Sequence, residues 1–208
     1  MRVLIADDHA IVRKGLAHLI HEEFSDTEII EASNGTEVLE KVKNGIYDAI
    51  LIDISMPGRN GLEILKQIRD FGIKAPVLVI SMHPEDQYAV RVLKAGASGF
   101  LNKDTATEEL ITAIHKVLSG KKYVSASLAE KMAEGYDTSV SKPINELLSD
   151  REMQVLQLIA SGKTVGAIAE EISLSVNTIS TYRTRILEKL NLANNAELMR
   201  CAIDNGLV

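Results

Sequence analysis

The sequence predicts an α/β domain built on a parallel sheet, followed by a smaller domain made only of helices. The chain has 208 residues, more than the roughly 150 residues of a typical domain, so two modest domains are expected. From residue 2 to about residue 119, short apolar runs alternate with helical patterns. After Gly120 the strand pattern disappears, and from Ser149 onward the pattern is helical throughout. These three observations define the predicted architecture.

The strands of the first domain are predicted from short runs rich in β-branched residues. The runs are RVLIA at 2–6, TEIIEA at 27–32, YDAILID at 47–53, APVLVIS at 75–81 and SGFLNK at 98–103. The intervening segments keep the i, i+4, i+7, i+8 spacing of an amphipathic helix, as in Val12, Leu16, Leu19 and Ile20 and again in Leu110, Ile114, Val117 and Leu118. Strands that alternate with helices indicate βαβ units, because parallel neighbours need crossover helices.

The second half begins with a connecting segment. ASLAEKMAEG predicts a short helix, and GYDTSVSKPIN has the Gly, Ser, Asp and Pro content of a linker. SDREMQVLQLIASG then predicts a helix in which Ser149 is the N-cap, Glu152 completes a capping box and Gly162 is the terminator. Three more helices are predicted from TVGAIAEEI, SVNTISTYRTRILEKLN and NNAELMRCAIDNG.

Composition and charge narrow the classes of function. The 46% apolar and 25% charged residues are typical of a globular protein. No apolar run approaches the roughly 20 residues of a membrane span, so we expect a cytoplasmic protein without a membrane partner. A single cysteine, Cys201, cannot form an internal disulfide. The net charge of −6 argues against indiscriminate nucleic-acid binding, so any DNA contact must come from a local patch.

Five polar residues stand at the ends of the predicted strands. Asp7 and Asp8 end the first strand and Asp53 the third, while Ser81 and Lys103 end the fourth and fifth. In an open parallel sheet, ligands bind outside the carboxyl ends of the strands, so these side chains should converge. Crowded carboxylates that share a cation favour Mg²⁺, and lysine and serine supply further partners for a phosphoryl group.

Each of these residues also has a local interpretation. Asp7 and Asp8 suit the N-terminus of the following helix, and Asp53 suits a turn before Pro57. Ser81 suits a capping hydroxyl, and Lys103 a solvated surface position. Taken singly the local interpretations are favoured, whereas at successive strand ends the combination favours a site.

A helical wheel tests whether the segment from Thr164 to Leu190 contains an amphipathic helix. With Ile179 at zero, Ile186 and Leu190 fall within about 20° of it, whereas the opposite face is polar. The polar face carries Asn177, Thr181, Thr184 and Glu188. A short helix, the turn SLS and an amphipathic helix are the layout of a helix-turn-helix reader, although an ordinary helical bundle has the same pattern.

The strings IADDH, LIDISMPGRNG, VISMH and GASGFLNKD, in this order over about residues 1–120, resemble the receiver domain of two-component response regulators. The resemblance implies a flavodoxin-like five-stranded parallel sheet of order 2-1-3-4-5. It implies that Asp53 accepts a phosphoryl group from a sensor histidine kinase or a small phosphodonor. Mg²⁺ would be bound by Asp7 (mostly through water), Asp8, Asp53 and the backbone carbonyl of Ser55. Lys103 would pair with the phosphoryl oxygens, and Ser81 and Phe100 would form the switch, with plain core packing as the alternative role for Phe100.

The strings LLSDREMQVLQLIASG, IAEEISLSVNTISTYRTRILEKLNL and NAELMRCAIDNGLV resemble the LuxR-type four-helix DNA-binding domain over about residues 146–208. Together the two resemblances are those of a NarL/FixJ-type response regulator, with residues 121–145 as a linker containing a short helix. They imply a helix from about Ser175 to Asn191 in the major groove. The implied contacts are Asn177, Ser180, Thr181 and Thr184 near base edges and Arg183, Arg185 and Lys189 on phosphates. Many relatives carry lysine where Ser180 stands.

Charge arithmetic points to dimerisation as the control of DNA binding. Residues 146–208 contain six Lys and Arg against eight Asp and Glu, a net charge of −2. One copy should therefore bind DNA weakly, and two copies on half-sites about 34 Å apart should bind well. The expected partners are a sensor kinase, promoter DNA and a second copy when phosphorylated, with RNA polymerase as a further candidate.

Two other functions compete with a phosphorylation-switched regulator. A Mg²⁺-dependent phosphohydrolase with an aspartyl-phosphate intermediate would carry Asp-x-Asp after the first strand, whereas this chain has adjacent Asp7 and Asp8. We therefore expect that the protein is not an enzyme, apart from its part in its own phosphorylation and dephosphorylation. A DNA-binding protein whose first domain docks without phosphorylation also stays open.

Overall fold

The computed structural model describes residues 1–56, 60–82, 85–133, 144–205 and 207. The chain divides into two compact units, Met1–Tyr136 and Asp137–Val208. The predicted turn at Pro57 and most of the GYDTSVSKPIN segment lie outside the described residues. Within the described ranges, no helix is both long enough and apolar enough to cross a bilayer.

The first unit is built on a five-stranded parallel sheet with the order β2-β1-β3-β4-β5, which confirms the predicted topology. Its strands are β1 Arg2–Ala6, β2 Glu28–Ala32, β3 Ala49–Asp53, β4 Val77–Ser81 and β5 Gly99–Asn102. Every residue of β3 and β4 is buried. Their unalternating apolar sequences follow from this, because a central parallel strand is covered on both faces.

Helices follow each strand. They are α1 Ala10–Glu23, α2 Gly35–Asn44, α3 Gly61–Asp70, α4 Glu85–Lys94, α5 Ala106–Leu118 and α6 Ala126–Ala133. One large core joins Leu16 and Ile20 of α1 and Leu110 and Ile114 of α5 to sheet residues that include Leu51. The two periodic segments recognised in the sequence therefore cover the sheet together.

The chain beyond α5 continues to pack on the first unit. The Tyr123 N–H donates to the Ser98 carbonyl at 2.8 Å, and Tyr123 forms an isolated parallel bridge to Gly99. Its side chain is 5% exposed and belongs to the core between the sheet and α5. Ser125 then donates its hydroxyl to Glu85 of α4 and caps the start of α6 by accepting from the Leu128 N–H. The first part of the predicted linker is thus built into this unit.

The second unit contains α7 Ile144–Leu147, α8 Asp150–Ala160, α9 Val165–Glu171, α10 Val176–Leu190 and α11 Asn195–Asp204. The capping box of Ser149 and Glu152 is present at the start of α8, as predicted. Gly162, beyond the end of that helix, has a φ of +83°, which explains the glycine there. The sequence pattern did not indicate α7, whose four residues are too few to show a helical period. The core is formed by residues from four helices: Met153, Leu156, Ile159, Ile168, Ile179, Ile186, Leu198 and Ala202.

Candidate functional site

Three of the predicted residues meet at the carboxyl edge of the sheet. Asp7, directly after β1, is 1% exposed, and Asp53, the last residue of β3, is 2% exposed. Lys103, directly after β5, places its Nζ 2.6 Å from Asp7 Oδ2 and donates to Asp53 Oδ2 at 2.9 Å. One ammonium is therefore shared by two buried carboxylates, which the rule for open parallel sheets anticipates.

Burial and charge oppose each other at this ion pair. Burial raises the pKa of Asp53, and the Lys103 ammonium counteracts part of that rise, so the pKa stays above its usual value. Burial alone would lower the pKa of Lys103, but the carboxylates of Asp53 and Asp7 raise it above its usual value. Lys103 is therefore charged at neutral pH, and Asp53 is a poorly solvated carboxylate held by one cation.

The carboxylate oxygens that face away from Lys103 provide candidate ligands for a cation. Asp53 Oδ1 and Asp8 Oδ1 are both buried; the Ser55 N–H donates to the Asp53 carboxylate, and His9 Nδ1 lies beside Asp8 Oδ1. Asp7, Asp8 and His9 each bring one ligand atom to within 4.8 Å of the others. Hard carboxylate oxygens suit Mg²⁺, so the donor set fits the expected ion. Ser55, two residues beyond Asp53, is exposed.

Three residues at this edge were not identified from the sequence. His9 places its Nδ1 2.8 Å from Asp8 Oδ1. Arg13 of α1 donates from Nη1 to the Asp7 carbonyl at 2.8 Å and from Nε to Glu31 at 2.7 Å. Gly61 begins α3 so close to Asp53 that a Cβ on it would lie 2.2 Å from the Asp53 carbonyl oxygen. The only available signal for His9 was its place directly after the two aspartates.

The two predicted switch residues are both inside the first unit. Ser81 ends β4 and is fully buried, and its carbonyl accepts from the Lys103 N–H at 2.8 Å. Phe100 of β5 is 0% exposed, beside Val79 of β4 in the sheet register. The aromatic ring therefore occupies core volume in this conformation.

The predicted base-contacting residues lie on the exposed side of α10. Asn177, Ser180, Thr181 and Thr184 are exposed, whereas Ile179 and Ile186 are fully buried, as the helical wheel predicted. The hydroxyls of Thr181 and Thr184 donate to backbone carbonyls one turn earlier, at 2.9 Å and 3.1 Å. The Ser175 side chain caps the N-terminus of this helix by accepting from the Thr178 N–H.

The three predicted phosphate-contacting residues have different surroundings. Arg185 is exposed, and Arg183 donates from Nε to the Asn195 side chain at the start of α11. Lys189 donates to Glu152 Oε2 at 2.6 Å. Burial raises the pKa of Glu152, but Lys189 and the capping contacts of Ser149 hold it below its usual value. Lys189 thus ties α10 to the start of α8, a role the sequence pattern did not suggest.

Two family descriptions match the chain. Residues 3–115 match "Response regulator receiver domain", and residues 146–202 match "Bacterial regulatory proteins, luxR family". Among curated proteins, the chain is 33% identical over 208 residues to "Response regulator UvrY" of Escherichia coli strain K12, covering 100% of this chain and 95% of that protein. It is 32% identical over 209 residues to "Response regulator GacA" of Pseudomonas viridiflava, covering 100% and 98%.

Solved structures resemble the chain over most of its length. RcsB from Salmonella enterica serovar Typhimurium, bound to promoter rprA with the phosphomimetic BeF₃⁻, is 26% identical with a TM-score of 0.67, covering 96% of each chain. A second structure, described as an RcsB–DNA complex, is 25% identical with a TM-score of 0.59, covering 99% of this chain and 98% of that one.

Proposed function

Because the chain belongs to the response regulators of NarL/FixJ type, in which a receiver domain precedes a LuxR-type DNA-binding domain, we propose that phosphoryl transfer to Asp53 promotes its dimerisation and promoter binding. The observation that carries the proposal is the contact of Lys103 with both Asp7 and Asp53 in one buried site. The same chain presents an exposed polar face on α10.

The transfer needs little beyond positioning and charge neutralisation. A carboxylate oxygen of Asp53 attacks the phosphorus of a histidine phosphate or of acetyl phosphate. A bond forms between that oxygen and phosphorus, and the donor leaves with the electron pair of its own bond to phosphorus. Lys103 donates to Asp53 Oδ2, which leaves Oδ1 as the oxygen on the side away from the ammonium. Attack of water on the phosphorus of the resulting acyl phosphate releases inorganic phosphate and returns the free carboxylate.

Mg²⁺ would be held by Asp7, Asp8, Asp53 and the Ser55 carbonyl, with Asp7 acting mostly through water. When bound, the ion neutralises charge on the phosphoryl oxygens. Lys103 supplies the second positive charge, and its Nζ is already within 3 Å of Asp53 Oδ2 before any transfer. The site therefore needs no large rearrangement to receive a phosphoryl group.

The change at Asp53 is transmitted through Ser81 and Phe100. Ser81 ends the strand next to β3 and would hydrogen-bond a phosphoryl oxygen through its hydroxyl. Movement of the Ser81 side chain toward the phosphoryl group alters the space beside Phe100, and the equilibrium between two conformations of the receiver shifts. The shifted surface then favours a dimer, whose formation raises the affinity for DNA.

Dimerisation raises the affinity for DNA, which is weak for one DNA-binding domain. The net charge of −2 over residues 146–208 gives a single copy little attraction to phosphates. Asn177, Ser180, Thr181 and Thr184 would then face base edges, with Arg183 and Arg185 toward phosphates. The predicted phosphate contact of Lys189 requires it to exchange its partner Glu152. Solved relatives described as RcsB bound to DNA, and as two RcsB dimers on two parallel DNAs, support this arrangement.

The partners that follow are a sensor histidine kinase, promoter DNA, a second copy of the chain and, at the promoter, RNA polymerase. The place of action is the cytoplasm. Apart from its own phosphorylation and dephosphorylation, the protein has no enzymatic role in this proposal.

Intact mass measurement and light scattering of the full chain test the proposal. Wild type and Asp53→Asn are compared with and without Mg²⁺ and acetyl phosphate. We expect a phosphoryl adduct and a shift toward dimer only in wild type with both reagents. Acetyl-phosphate-dependent dimerisation of Asp53→Asn would contradict the proposal. Absence of an adduct with acetyl phosphate, and with a phosphorylated sensor kinase domain, would favour a receiver that docks without phosphorylation.

A further inference from the structure

We propose that the His9 imidazole is a nitrogen ligand of the acidic site formed with Asp7 and Asp8. With this ligand, the site binds a divalent transition-metal ion such as Co²⁺ more tightly than it would with oxygen ligands alone. The inference rests on the proposed cation site, and it adds a ligand that determines which metal is preferred. It does not depend on phosphorylation of Asp53.

The distances around His9 fit adjacent ligands of one ion. His9 Nδ1 lies 2.8 Å from Asp8 Oδ1 and 3.2 Å from Asp7 Oδ1. Neighbouring ligands of an octahedral ion with bonds of about 2.1 Å lie about 3 Å apart. A metal ion could therefore replace these direct contacts with very little movement of the three side chains.

The backbone explains why the ring is placed there. His9 is the N-cap residue of α1 with extended backbone dihedrals, and its N–H donates to Asp7 Oδ1 at 2.8 Å. This bond turns the chain so that consecutive side chains converge. The His9 side chain is 64% exposed, whereas that of Asp7 is 2% exposed. The site is thus open to an incoming hydrated ion at His9 and closed at Asp7.

A second observation points independently to a cation at this edge of the sheet. Lys103 engages Asp7 and Asp53 through their Oδ2 atoms. Asp53 Oδ1 is buried on the side away from Lys103, and the carboxylate also accepts a hydrogen bond from the Ser55 N–H. A buried carboxylate pair that one ammonium neutralises only in part costs free energy, and that cost falls when a cation binds. Lys103 therefore neutralises only part of the charge at this edge.

Other histidines of the described chain lack this arrangement. His18 is paired with Glu22 alone at 3.3 Å, and His115 with Glu23 alone at 3.2 Å. Within the described residues, Asp7, Asp8 and His9 form the only group of three such side chains with ligand atoms this close. His18 is therefore a matched control for nonspecific binding of metal by a surface histidine.

Ligand chemistry predicts a difference between metals. Imidazole nitrogen strengthens the binding of Co²⁺, Ni²⁺ and Zn²⁺, whereas Mg²⁺ prefers oxygen and keeps several waters. We therefore expect His9→Asn to weaken Co²⁺ binding by about tenfold and to change Mg²⁺ binding by less than about twofold. His18→Asn should change neither affinity at the acidic site.

The deciding experiment is proton NMR of the full chain loaded with Co²⁺ in water. Imidazole bound through Nδ1 to high-spin Co²⁺ gives a strongly shifted, exchangeable Nε2–H resonance. We expect this resonance in wild type and in His18→Asn, its disappearance in His9→Asn, and its loss when excess Mg²⁺ displaces Co²⁺. A Co²⁺ ion that Mg²⁺ displaces but that gives no such resonance would overturn the inference, as would a resonance that survives in His9→Asn.

Failure of this inference can be told apart from failure of the proposed function. The proposed function is measured by the phosphoryl adduct on wild type with Mg²⁺ alone, where His9 is not required as a ligand. An adduct without the His9 resonance contradicts only the inference. The resonance without an adduct from either donor supports the inference and contradicts the switch.

Discussion

Truncation of Tyr123 measures how far the chain after α5 belongs to the receiver. In Tyr123→Ala a side chain that is 5% exposed is removed from a core formed with Leu110 and Ile114 of α5 and Leu78 of β4. The phenol also loses its hydrogen bond to Glu109. The substitution leaves a void between the sheet and α5, while Gly99 next to it cannot fill the space.

The magnitude follows from the buried area. A buried aromatic side chain covers about 150 Å² or more, which at about 25 cal/mol per Å² corresponds to about 4 kcal/mol. Measured aromatic-to-alanine substitutions in cores cost about 3–5 kcal/mol, in agreement. Tyr123→Phe keeps the ring and removes only the hydroxyl contact to Glu109, so we expect a loss of about 1 kcal/mol.

Urea unfolding of the full chain, followed by circular dichroism, measures how far each substitution in the first unit shifts the unfolding transition relative to wild type. Ile46→Ala serves as the control, because Ile46 is 88% exposed and its truncation should change stability by less than about 0.5 kcal/mol. A loss below about 1 kcal/mol in Tyr123→Ala would refute the reasoning. It would mean that the segment beyond α5 only rests on the receiver and behaves as a linker.

Three further predictions concern both units. Gly61→Ala places a Cβ 2.2 Å from the Asp53 carbonyl oxygen, so we expect a loss of about 2 kcal/mol in the free energy of unfolding and a lower yield of phosphoryl adduct by mass measurement. An unchanged yield would show that the loop absorbs the change. The pKa of Glu152 in the folded state is below its usual 4.5, so the carboxylate stabilises the fold above that pH and the stabilisation is lost as the pH falls through the folded pKa. We therefore expect the difference in melting temperature between wild type and Glu152→Gln to shrink with acidification. A difference that does not change with pH would contradict this. Arg185→Ala should reduce the slope of log affinity against log salt for duplex DNA by about 0.9, measured by fluorescence anisotropy, whereas an unchanged slope would remove Arg185 from the phosphate contacts.

The arrangement of strands and helices could be predicted because each element carries its own local pattern. The buried central strands read as unbroken apolar runs, and the capping box at Ser149 marked the start of α8. The meeting of Asp7, Asp53 and Lys103 followed from the general rule on strand ends. These features depend on residues near in sequence or on topology, and both are accessible without coordinates.

Other features depend on contacts between distant residues that leave no periodic signal. Tyr123 is one aromatic residue in a polar stretch, and only the structure shows that it packs beside Gly99. The pairing of Lys189 with Glu152 joins residues 37 positions apart. Lys189 looks like any basic residue on an exposed helix until its partner is known. The position of His9 beside Asp7 and Asp8 is likewise set by the backbone turn after β1.

The position of the Lys103 ammonium has a mechanical consequence for the sheet. In the order of strands, β4 lies between β3 and β5, so the side chain that follows β5 passes across the end of β4 to reach residues that end β3 and follow β1. The Lys103 side chain therefore connects the ends of four neighbouring strands. In the proposed switch, a change in charge at Asp53 would act through Lys103 on the start of the loop before α5, alongside the path through Ser81. Both paths would start at Asp53 and reach the chain at the carboxyl ends of β4 and β5, so that α4 and α5 could be displaced together.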